Sequence, residues 1–285
     1  MPTQLRAGRE SILLDLLPWF IWIAQIVTAT CFVINLFYML PQFYIWSMLN
    51  TLQIYVHMLL IEVNLPANAY LFLHALLEPA KLRIFPTHDL FERWFGLAPN
   101  EDDTISFYFL EANYDSAHMY YLAAHVYFDA AVLIIFTILA ICVYQFIAVP
   151  CKLTKAKDAK RKVMTIFAQG VTVLLLIGAM ELMLCAMITF YKNGSASSSA
   201  YSTLMAVTAV IIMALLPFFI VYTNFTHDED LKHIDSEIFK WKYGVLWYNF
   251  KQNSGLAPKM YWNVFLARRF AICVILIFLR HMPWL

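Results

Sequence analysis

Long apolar runs alternate with short polar ones along this chain, and the apolar runs have the length of membrane crossings. They cover Leu16–Leu40, Gln42–Leu65, Ala123–Val149, Val163–Tyr191, Tyr201–Tyr222 and Trp262–Leu285. A helix needs about 20 predominantly apolar residues to cross a hydrocarbon core of about 30 Å. The pattern therefore predicts an all-α fold, a polytopic transmembrane helix bundle of about six spans behind a polar tail, residues 1–15. No small-residue cleavage site closes the first run, so it predicts a span and not a cleaved signal. Trp19 and Trp22 near its start suit interface anchors.

Sidedness follows from Cys151–Lys162, CKLTKAKDAKRK. It places Lys152, Lys155, Lys157, Lys160, Arg161 and Lys162 against the single acid Asp158. Lys and Arg resist translocation, so this segment predicts a cytoplasmic loop (150–162). The segment 66–120 then lies on the opposite side. Its acids Glu78, Asp89, Glu92, Glu101, Asp102, Asp103, Glu111 and Asp115 outweigh Lys81, Arg83 and Arg93, and aromatic residues are interleaved. That composition predicts a folded acidic extracellular or lumenal cap. Within it, Ala67–Leu82 has the pattern of a short amphipathic helix in the interface. The segment 223–261 predicts a cytoplasmic amphipathic region. With six crossings both termini lie outside. If Gln42–Leu65 only re-enters, there are five and the N-terminus lies inside.

Gln42–Leu65 differs from the other runs. Pro41 and Pro66 bracket it, as start and stop signals of a helix. At about 100° per residue, Gln42, Trp46, Asn50, Gln53, His57 and Asn64 fall in one stripe about 80° wide. In lipid such a stripe must face other helices or water. It is either the lining of a pore or binding route, or an interhelical hydrogen-bond seam.

The composition agrees with a membrane protein, with 62% hydrophobic and only 14% charged residues, against about 25% charged in an ordinary soluble domain. The net charge of +1 hides segregated signs, and no basic patch supports nucleic-acid binding. The 5 cysteines form no framework. Cys31, Cys142, Cys185 and Cys273 read as small core residues, and Cys151, beside the basic loop, is either a palmitoylation candidate or an inert thiol. Asn193-Gly194-Ser195 is a glycosylation candidate on the outer side. Asn224-Phe225-Thr226 falls on the inner side, where it stays unmodified.

Candidate chemistry is sparse. Glu181 is an acid deep within a span, on a face with Gly170, Leu174 and Ile177, and such a carboxylate is by default a site for a cation, a proton or an Arg partner. Arg280 is the expected partner, at similar depth. Arg268 and Arg269 are placed to snorkel to the inner surface and contact lipid headgroups. Asn50, Gln53, His57, Glu181 and Arg280 are thus the transport or pore candidates. His118, His125 and Asp129 share a face that only loosely resembles the carboxylate/His clusters of intramembrane metal enzymes. No GxSxG, HExxH, Walker or GxGxxG pattern is present, so the sequence predicts no enzyme, no cofactor and no metal.

Two stretches carry a resemblance. IWSMLNTLQIYVHMLLIEVNLPANAYLFLHALLEPAKLRIFPT (Ile45–Thr87) is similar to the membrane region of large ciliate surface proteins that bear cysteine-rich, EGF- or furin-like repeats. The closing YGVLWYNFK (Tyr243–Lys251) and YWNVFLARRFAICVILIFLRHMPWL resemble the same family's end, and more weakly the last spans of fungal TRP-like transporters. The cysteine-rich repeats are not in this sequence, as expected of a membrane module from a longer protein or of a short paralogue. The resemblance implies a plasma-membrane protein and a TRP-like channel or transporter module, or a membrane anchor or signalling module without transport. The partners implied are membrane lipids and cations. Homo-oligomerisation stays open.

Overall fold

The computed structural model describes residues 42–61, 65–81, 105–114, 116, 118–143, 146, 156–193, 200–226 and 260–279, with isolated positions between 18 and 30. Among these the fold is all-helical. In chain order the helices are α1 (Gln42–His57), α2 (Ala67–Ala80), α3 (Phe107–Glu111), α4 (Met119–Leu122), α5 (Ala124–Val143), α6 (Ala156–Asn193), α7 (Ala200–Thr226) and α8 (Tyr261–Phe278).

Among the described residues, four helical stretches are long and apolar enough to cross a membrane: Ala124–Cys142, Gly170–Lys192, Ala200–Thr223 and Tyr261–Phe278. Two of the expected spans are not among them. Leu16–Leu40 lies almost wholly outside the described residues, although Trp19 and Trp22 are described and exposed. Within Gln42–Leu65 the α-helix stops at His57 after 16 residues, about 24 Å of rise. A 3₁₀ turn, Met58–Leu60, follows, and Ile61 is extended at φ −79°, ψ 133°. Pro66 then starts α2, whose Tyr70 N–H donates to the Pro66 carbonyl at 2.9 Å. The helix thus breaks earlier than its apolar pattern suggests.

Within the basic segment, Ala156 to Lys162 form the first turns of α6, which runs for 38 residues. Alanine, lysine and arginine are strong helix formers, and nothing in the segment interrupts the backbone ladder. Cys151 lies outside the described residues. Asn193 closes α6, and the rest of its sequon is outside the described residues.

α6 is the central helix. Its apolar window is 76% buried, against 11% for the window of α5, because α5, α7 and α8 all pack on it. α5 meets it closely at Gly178, where an added Cβ would stand 3.2 Å from a Val126 methyl. Small residues permit such backbone approach inside lipid. Further along, α5 exposes Ile134, Ile135, Phe136 and Leu139, and α7 exposes Leu204, Ile211, Leu215 and Phe218. Exposed apolar faces of this kind suit contact with hydrocarbon. Cys142 belongs to the exposed face of α5 and not to the core, whereas Cys185 and Cys273 are buried. α7 continues as helix through Pro217. On α8, Trp262, Phe265, Leu266, Arg269, Cys273 and Ile277 are buried at helical spacing.

Much of the expected outer cap (66–120) lies outside the described residues, but its two ends are described, and they dip inward. α3 closes on Asn113, whose φ of 58° is left-handed. The Tyr114 N–H returns to the Phe109 carbonyl at 2.8 Å, and the two rings pack edge to face at 6.1 Å. This is a helix stop of the Schellman type with Asn in the left-handed position. It turns Tyr114, only 1% exposed, into the core. Asn113→Val is expected to cost about 1–2 kcal/mol, while Asn113→Gly is expected to leave stability unchanged or better. Thermal unfolding of the two purified variants in detergent checks the pair, and equal losses would count against this turn.

Candidate functional site

The site is built on α1, where one face turns polar. Gln53 is 1% exposed and His57 0%. Asn50 is partly exposed. The Gln53 amide donates to the Ala80 carbonyl at 2.9 Å and to the Ile177 carbonyl at 3.3 Å. Its Oε1 accepts a bond from Arg269 Nη2. Gln42 and Trp46 are backbone-described only, and Asn64 lies outside the described residues. At Gln53 and His57 the stripe is buried against neighbouring helices in this structure.

α6 contributes Glu181, 1% exposed. His57 Nε2 stands 3.1 Å from its Oε1. The Tyr114 hydroxyl donates to the same carboxylate, 2.8 Å from Oε2, and lies 3.0 Å from His57 Nε2. Lys81, at the end of α2, packs its ammonium 3.5 Å from the centre of the Tyr114 ring and donates to the Ala112 carbonyl at 2.6 Å. A charged end held over an aromatic face in a desolvated setting is a favourable arrangement. Gly170, Leu174 and Ile177, on the Glu181 face, are buried as well.

α8 contributes Arg269, and here the expectation fails. It does not snorkel to the membrane surface: it is 2% exposed. Its Nη1 donates to the Leu176 and Ile177 carbonyls at 2.6 and 3.1 Å. Its Nε donates to Asn50 Oδ1 at 3.2 Å. The guanidinium also packs 4.3 Å from the centre of the Phe265 ring. A planar fork of donors can satisfy acceptors on two helices at once, which outweighs the reach to water. Arg268 is exposed. Arg280, the expected partner of Glu181, lies outside the described residues, and the carboxylate is engaged by His57 and Tyr114.

Four of the expected residues thus meet: Asn50, Gln53, His57 and Glu181. Arg269 joins them from the set assigned to lipid, and Lys81 and Tyr114 come from the segment assigned to the cap. A weak signal did exist for Tyr114, since an Asn next to an aromatic at the end of a short apolar stretch suits a helix stop. Outside the spans, Tyr70 donates to the Glu111 carboxylate, and burial, then that carboxylate, push the Tyr70 phenol above its ordinary range. Among the described residues no group of three His, Cys, Asp or Glu side chains could hold a metal ion, and the His118–His125–Asp129 face forms no such group. Comparison with protein-family models, with curated proteins and with solved structures found no match.

Proposed function

We propose that this chain is a channel or transporter module of a multi-pass membrane protein, with its polar site closed in this structure. One observation carries the proposal. Ionisable side chains from three helices, His57, Glu181 and Arg269, converge in a dry core. Desolvating such groups is costly, and well-packed apolar residues of similar volume often serve stability as well or better. Inside a membrane such residues are by default functional, marking ion paths and proton relays. The four apolar helices among the described residues are compatible with a membrane protein, and the closing stretch weakly resembles the last spans of fungal TRP-like transporters.

A second function is favoured by the dryness itself. Each of these side chains is hydrogen-bonded to its neighbours, as an interhelical seam in a membrane anchor or signalling module requires. Substitution separates the two. In a transport module, Gln53→Ala and Glu181→Gln change cation currents in planar bilayers, or rubidium uptake into proteoliposomes, by about tenfold or more, a change of about 1.4 kcal/mol or more in the limiting step. In an anchor they change unfolding alone, and wild-type vesicles take up no more rubidium than protein-free ones.

A further inference from the structure

We propose that His57 and Glu181 together hold one exchangeable proton, and that its loss opens the contact between α1 and α6. Proton storage stands on geometry alone. The role of that proton as coupling ion rests on the transport proposal above.

His57 Nδ1 lies 2.5 Å from the Gln53 carbonyl oxygen. A carbonyl oxygen can only accept, so Nδ1 carries a hydrogen. The other nitrogen, Nε2, faces Glu181 Oε1 at 3.1 Å. In a neutral imidazole with its proton on Nδ1, Nε2 presents a lone pair. An ionised carboxylate presents lone pairs as well. Two acceptors at that distance, both shielded from water, need a proton between them. It sits on Nε2, giving imidazolium and carboxylate, or on Glu181, giving a carboxylic acid that donates to Nε2. The proton count is the same in both. The Tyr114 hydroxyl cannot replace it. It lies 3.0 Å from Nε2 and 2.8 Å from Oε2, but it has a single hydrogen to give.

The surroundings make this proton consequential. Lys81 beyond α2 and His125 on α5 lie in the surroundings of Glu181. Arg269 and Cys273 face it from α8, and Tyr114 faces it from the turn after α3. Lys81 and Arg269 direct donors toward backbone carbonyls and amide oxygens. When the shared proton leaves, the Nε2 and Oε1 lone pairs confront one another where no water screens them. The two helices must part, or a cation must enter.

The test uses the full chain in lipid nanodiscs, with histidine nitrogens labelled and observed by magnetic resonance while infrared difference spectra follow carboxyl groups across pH 5–10. The His57 signals are assigned by Tyr114→Phe, which keeps the ring and removes the hydroxyl. The expected result is a His57 whose Nδ1 is protonated throughout. The Nε2 signal and a Glu181 carboxyl or carboxylate band then change together, with shared midpoints, as interacting sites do. Glu181→Gln is expected to remove the band and to shift the His57 midpoint by at least one pH unit. A His57 protonated on Nε2 with a bare Nδ1 overturns the proposal in the wild-type protein, whether or not the variants fold. So does a His57 that titrates independently of Glu181.

Vesicles loaded with a pH-sensitive dye, tested beside it, separate the two layers. Rubidium uptake that ignores an imposed pH gradient removes the proton as coupling ion and leaves the transport proposal. A proton shared as described, in a protein that moves neither rubidium nor protons, retains the proton site and removes transport.

Discussion

Glu181→Ala is expected to destabilise the protein by about 3–5 kcal/mol, the usual loss when one partner of a buried charged pair is removed. The reason lies in what stays behind. His57 Nε2 and the Tyr114 hydroxyl both point at the missing carboxylate, at 3.1 and 2.8 Å, and neither has water to turn to. The double variant His57→Leu with Glu181→Met is expected to recover at least half of the loss, because it removes both polar ends and refills the volume. A double-mutant cycle read from reversible unfolding in mixed micelles gives the interaction term directly. A single-variant cost below about 1 kcal/mol would show that Glu181 is hydrated and that the pair is not the dry contact described.

Arg269→Lys is expected to cost about 2–4 kcal/mol although it keeps the charge, since hydrogen bonds to charged groups contribute about 1.5–3 kcal/mol each. Arg269 reaches Asn50 and Gln53 on α1 and the Leu176 and Ile177 carbonyls on α6. Serving acceptors that lie in different directions needs a spread fork, and a single ammonium can meet only part of them. The stack on Phe265 is lost with the plane of the guanidinium. Its neighbour Arg268 is exposed, so Arg268→Lys is expected to stay within about 0.5 kcal/mol. Equal effects at the two positions, in the same unfolding measurement, would overturn the assignment of Arg269 to the core.

The adjacent arginines also show where the sequence runs out. A dibasic pair about two turns into a helix is compatible with either residue turning inward. Only a rotation of about 100° separates them, and the sequence does not state which face the bundle presents. The polar stripe of α1 was visible because Asn50, Gln53 and His57 recur at a helical period. The end of that helix at His57 was not, because the apolar pattern continues through Leu60 and Val63 while the backbone tightens. Charge and aromatic rings between spans normally mark an aqueous cap, so composition places Lys81 and Tyr114 there. What brings Tyr114 inward is the left-handed backbone of Asn113, which leaves little trace in composition. Charge density in the basic run bears on the medium around the segment, not on its backbone conformation, which is helical from Ala156.

The unbroken length of α6 has a mechanical consequence. From Glu181 to its first residue, Ala156, the helix rises about 37 Å as one rod. A tilt of about 10° pivoting at Glu181 would swing the far tip sideways by about 6 Å, by the geometry of a lever of that length. A rearrangement small enough to break one contact in the core would thus arrive at the far end of the helix as a stroke of several ångströms, about 6 Å for that tilt.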